Sequence, residues 1–233
     1  MNRFGYSNGA QQPVVLSVPG LNNSGPDHWQ TRWEESRGDC RRVDLGRWAS
    51  PNRNAWVTRL DAAIREIDGP VVLAAHSLGC ITVGWWGALQ SQAYGWPVIG
   101  ALLVAPPDCE RVETPDTIGG FGPTPQSPLP FPSILVASRD DPYIFFERAH
   151  SIGKYWGSAF VDAGHCGHIN AESGLGDWAF GQGLLDRLID NARVRPLPTH
   201  RALPTTHRIR AATHGAAHAT ANPAGEKLTL TPP

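Results

Sequence analysis

Apolar positions along the chain fall into two kinds of run that take turns. Short continuous runs rich in β-branched residues, at 14–18, 71–75, 99–104 and 134–137, predict strands, and those with no polar alternation predict strands buried on both faces. A weak strand is expected around Cys40 to Asp44, and the shortest one at 159–161. Between them the spacing turns helical. Trp56, Leu60, Ala63, Ile64 and Ile67 share one face of a helix over 52–67, ended by Asp68-Gly69-Pro70. Further helices are predicted over 80–89, near 144–152 and near 178–189. A short one follows Asp27 as its N-cap and carries Trp29, Trp33 and Glu34. Strand and helix alternate about six times. That pattern predicts an α/β fold: a three-layer αβα sandwich around a mostly parallel sheet of about six strands.

Two stretches break the alternation. Residues 105–132 contain eight prolines, too many for regular structure, and a loop of that length in a compact domain is expected to act as a lid or pocket wall. Residues 193–233 are rich in Pro, Thr, Ala, His and Arg with almost no large apolar side chains, and are expected to be a disordered tail behind a domain spanning 1–192. Charge divides the same way. The 233 residues carry 20 Lys+Arg and 21 Asp+Glu, but six of the basic residues and only one acid lie beyond 192. The acidic body that remains is a poor partner for nucleic acid.

No apolar run reaches the roughly 18–20 residues that span a bilayer, and the N-terminal stretch through Pro13 lacks the apolar core of a signal peptide. Cys40, Cys80, Cys109 and Cys166 are scattered, with neither a disulfide framework nor a zinc spacing. The expectation is a cytoplasmic protein with no metal and no cofactor. Phosphate-cradling glycine motifs are missing as well.

The string that suggests chemistry is Ala75-His76-Ser77-Leu78-Gly79, set between a buried strand and a helix. Small residues two before and two after a serine permit a turn tight enough to lift the hydroxyl above the sheet, with a helix N-terminus behind it. A serine alone is a weak nucleophile and needs a base, which needs an acid, in the order Ser…Asp…His. Asp140 and Asp141 follow the strand at 134–137, and His165 and His168 follow the one at 159–161. Read from the residues alone, each pair leaves two choices.

The same residues resemble a known family, the small α/β-hydrolase-fold serine hydrolases grouped with YdeN and with retinoblastoma-binding protein nine. The resemblance covers nearly all of residues 14–191. It rests on Val18-Pro19-Gly20-Leu21, Ser24-Gly25-Pro26-Asp27-His28-Trp29, Trp33-Glu34, His76-Ser77-Leu78-Gly79, Ala105-Pro106-Pro107-Asp108, Ser138-Arg139-Asp140-Asp141-Pro142-Tyr143, and Gly167-His168-Ile169-Asn170 with Ser173-Gly174. It implies an α/β-hydrolase fold without a large cap domain and Ser–Asp–His catalysis without metal. The catalytic acid falls at Asp141, before the proline, and the base at His168, leaving Asp140 and His165 as competitors.

The oxyanion hole is expected from the backbone amides of Leu78 and Leu21. His28 and Trp29 are candidates for the pocket wall, and His76 is given no chemical role. The expected reaction is hydrolysis of a small acyl ester or amide through an acyl-enzyme. The alternative is a protein-interaction or ligand-binding module on the same scaffold, with a protein partner unknown.

Overall fold

The computed structural model describes residues 11–89, 97–112 and 115–194. The disorder expected of the tail therefore falls, from residue 195 onward, outside the described residues. Strands β1 (Val14–Val18), β2 (Cys40–Arg42), β3 (Val71–His76), β4 (Val98–Val104), β5 (Ser133–Ala137) and β6 (Ala159–Asp162) form one sheet in the order β2-β1-β3-β4-β5-β6. Every pairing is parallel. The helices are α1 (Trp29–Ser36), α2 (Arg53–Arg65), α3 (Leu78–Leu89), α4 (Asp116–Gly119), α5 (Phe146–Trp156) and α6 (Ala179–Val194). β2, with three residues, is shorter than the four-residue β6. The proline-rich stretch contains one helical turn, α4, where none was expected.

Alternate strand residues feed two cores. Leu16, Val18, Leu73, Ala75, Leu103 and Leu135 face the core built with α2, α3 and α5. Val15, Val72, Ala74, Leu102 and Val136 face the one built with α1 and α6. This two-sided burial explains why the central strands read as continuous apolar runs. Each fully buried Leu, Ile or Val contributes about 1.5–3 kcal/mol. The proline-rich loop adds Phe121, Leu129 and Phe131 to the first core.

The winding order decides where a site can form. From β1 the chain steps outward to β2, crosses back to β3 on the other side of β1, and then proceeds through β4 and β5 to β6. Right-handed crossovers put the helices of opposite steps on opposite faces. The loops leaving β1 and β3 consequently part at their carboxyl ends, opening the crevice where open α/β sheets bind ligands. Those loops contain Gly20-Leu21 and Ser77.

Local capping differs from the sequence expectation at one helix. His28, not Asp27, caps α1, because its Nδ1 accepts the amide of Gln30 at 3.2 Å while Asp27 pairs with Arg32 at 3.2 Å. Asn52 caps α2, accepting the amide of Ala55 at 3.0 Å.

Candidate active site

Ser77 follows β3 directly and precedes α3. Its amide donates to Val104 O at 2.9 Å, extending the β3–β4 ladder by one residue, and its φ of 52° then reverses the chain. A non-glycine residue in that region is strained, and strain of this kind persists only where surrounding structure holds it. Two glycines make the turn possible. A Cβ on Gly79 would strike the carbonyl oxygens of Val18 and Pro19, and one on Gly20 would lie 2.8 Å from Ser77 Cβ. The small residue at 79 is thus required by the end of β1, a neighbour distant in sequence, rather than by Ala75.

The structure brings Ser77, His168 and Asp141 together. His168 Nδ1 lies 2.9 and 3.0 Å from the two Asp141 oxygens, and its Nε2 is 2.9 Å from Ser77 Oγ. The carboxylate can only accept, so Nδ1 carries the hydrogen and Nε2 of the neutral ring is left to accept from the Ser77 hydroxyl. The Asp141 side chain is fully buried, and its Oδ1 also accepts the Tyr143 amide at 2.9 Å.

The competing residues stand elsewhere. His165 has a 72% exposed side chain and lies 3.9 Å from Asp140. Asp140 does not cap the turn that follows it, since Asp141 accepts the Tyr143 amide. It accepts instead from Ser138 Oγ at 2.7 Å and Gly167 N at 2.9 Å, and these bonds hold its carboxyl below the usual range. Ser138 Oγ in turn accepts the Cys166 amide at 2.8 Å. Asp140 and Ser138 therefore tie the acid's turn to the histidine's loop.

A serine hydrolase family profile matches residues 15–187. A solved YdeN-like hydrolase from Pectobacterium atrosepticum is 32% identical, with a TM-score of 0.66 over 78% of this chain and 92% of that one. The chain belongs to the serine hydrolase family. The ydeN product of B. subtilis, 17% identical, superposes with a TM-score of 0.61 over 76% of this chain and 99% of that one, a likeness of fold. So does a monoacylglycerol lipase from Paleococcus ferrophilus, at 12% identity and a TM-score of 0.55 over 78% and 96%. No curated protein sequence matches the chain.

Within this serine hydrolase Trp29, the first residue of α1, and His76, the last of β3, both bond to the segment that carries His168. Trp29 is 1% exposed, and its indole N–H donates to Ile169 O at 2.9 Å. His76, given no role from sequence, donates from Nε2 to His168 O at 2.9 Å. Both carbonyls of the His168–Ile169 step are thus held from the start of α1 and the end of β3. Ile169 itself has φ 50°, a costly conformation for a β-branched residue.

Gln30, fully buried, donates to Ala74 O at 2.9 Å and accepts from Ser24 Oγ at 2.7 Å. Arg42 reaches Ser24 O, Asn23 Oδ1, Thr31 Oγ1 and Glu34, bracing the loop that carries Leu21. Leu78 opens α3, and the first amides of a helix have no partner within it. These anchoring roles leave little trace in sequence, since an Arg on a weak edge strand and a Gln in a short helix are ordinary surface residues.

His28 is buried against His76, with ring centroids 4.6 Å apart. Burial first, then Arg42 and His168, pulls its imidazole from 6.5 to about 4. Burial holds His76 well below 6.5 too. A neutral buried histidine must take up a proton on unfolding once the pH drops below its unfolded value. The stability His28 contributes is complete above pH 6.5 and is lost as pH falls toward 4. About 2 kcal/mol should be gone by pH 5. Urea unfolding at pH 7 and pH 5 measures this. His28→Asn keeps an acceptor for the Gln30 amide and should flatten that loss by a similar amount.

Proposed function

We propose that the protein is an esterase-type serine hydrolase acting on small acyl esters through a Ser77–His168–Asp141 triad. The observation that carries this is the unbroken set of contacts from the Asp141 carboxylate through His168 to a Ser77 hydroxyl on a strained elbow. Ser77 Oγ attacks the acyl carbon as His168 Nε2 takes its proton. Asp141 keeps the hydrogen on Nδ1 and stabilises the imidazolium. The backbone amides of Leu78 and Leu21 receive the oxyanion, each supporting about 2.7–4 kcal/mol of transition-state stabilisation. His168 returns the proton to the leaving alcohol, and water repeats the cycle on the acyl-enzyme.

Among the described residues no helix is long and apolar enough to cross a membrane. The four cysteines are free, and burial pushes the Cys40 and Cys109 thiols up to about 12. Unpaired thiols fit a reducing compartment, and we place the enzyme in the cytoplasm. A fluorophosphonate probe tests the reading, since it labels only an activated serine. Wild type and His165→Ala should label, and His168→Ala should not. A folded wild type that takes no label would favour the binding-module alternative.

A further inference from the structure

Large apolar side chains are exposed at five places among the described residues, and two of them, Tyr143 at 51% and Phe145 at 63%, follow Asp141 within four positions. Their exposure does not come from a loose loop. The Tyr143 amide is bonded to Asp141 Oδ1 at 2.9 Å, and its carbonyl accepts the Asp108 amide at 3.0 Å. Arg111 donates to Pro142 O at 3.2 Å and lies 4.7 Å over the Phe145 ring. The segment is pinned to the loop after β4 on both sides of Tyr143, while Tyr143 and Phe145 each keep more than half of their surface exposed. A fixed backbone presenting open aromatic faces is a preorganised contact surface.

Its position relative to the reacting groups identifies the occupant. The Tyr143 ring stands 4.5 Å from the His168 ring, edge to face at 64°. His168 is the group that protonates the departing alcohol, so the alcohol portion of the substrate must lie beside it. We propose that Tyr143 and Phe145 form the leaving-group subsite, selecting esters of aromatic or benzylic alcohols over those of small alcohols. This inference rests on the esterase reading above. In the acylation step the acyl–O bond to the alcohol breaks as the acyl–Oγ bond to Ser77 forms. The proton taken from Ser77 passes from His168 Nε2 to the alcohol oxygen, and the neutral alcohol leaves across the two rings. Tyr143 and Phe145 act through contact with that group and supply no proton.

Benzyl acetate and methyl acetate test this, because their acyl groups are identical and their alcohols are of similar acidity. The ratio of kcat/KM values then reports contact with the leaving group. Wild type should favour the benzyl ester by about tenfold, as expected for an aromatic contact of this kind. Tyr143→Ala/Phe145→Ala should bring the ratio close to one. Each single variant gives an intermediate ratio, which serves if the double variant does not fold. Phe180→Ala, an exposed aromatic on α6, should leave the ratio as it is. A wild-type ratio near one, or a ratio that survives in the double variant, overturns the subsite while fluorophosphonate labelling still upholds the hydrolase. No hydrolysis of either ester together with no labelling overturns both.

Discussion

Ser77→Ala is expected to fold normally and to lose turnover, with kcat on an activated ester falling roughly a million-fold. The substitution deletes only Oγ, keeps the Cβ packed beside Gly20, and asks for the same φ of 52° that the serine already adopts. Its melting temperature should stay within a few degrees of wild type. His168→Ala should cost about as much in rate, because the base has no work without the nucleophile and the nucleophile is inert without the base. The informative variant is the double one. If the two residues act as one unit through their 2.9 Å contact, Ser77→Ala/His168→Ala is no slower than either single variant. Rates measured with an aryl acetate check this, and losses that multiplied would show that the residues act independently.

The second large effect separates two neighbouring carboxylates. Asp141→Asn should lower kcat about ten-thousand-fold, and the hydrogen bonds explain why. Asp141 Oδ1 accepts the Tyr143 amide, so the asparagine oxygen is drawn to that side. The NH2 then occupies the Oδ2 position, 2.9 Å from His168 Nδ1. A donor there opposes a hydrogen on Nδ1 and favours the tautomer that has it on Nε2, aimed at the Ser77 hydroxyl whose proton should be taken. Asp140→Asn is the control. Its Oδ1 accepts from Ser138 and Gly167, and an amide oxygen can do the same. The loss should stay within about tenfold. Equal losses in the two variants would overturn the assignment of the acid.

Much of the fold is legible because its signals are local. β3 and β4 are buried on both faces and therefore spelled in continuous apolar residues, and the helices show their buried stripe at regular spacing. The boundaries are less legible, because capping depends on side-chain reach. Asp27 is the better cap by residue type, yet His28 makes the bond, and Asp27 is taken up by Arg32. The short β2 was only faintly visible, since an edge strand of three residues is held by its pairing with β1 more than by its composition.

By itself the sequence determined the alternation of strands and helices, the serine turn between two apolar elements, and the presence of an acid and a histidine after later strands. Each depends on neighbours within a few residues, where spacing and residue type are enough. The fold is what brings Asp141 and His168, the pair that the family resemblance implied, to Ser77. His165 and His168 are three positions apart, but left-handed turns at Gly164, Gly167 and Ile169 send the first into solvent and the second onto Ser77, 91 positions away. Trp29 and His76 acquired their hold on the histidine loop for the same reason. Those bonds join residues more than ninety positions apart, and their geometry is set by how the sheet is wound, which no short stretch of sequence encodes.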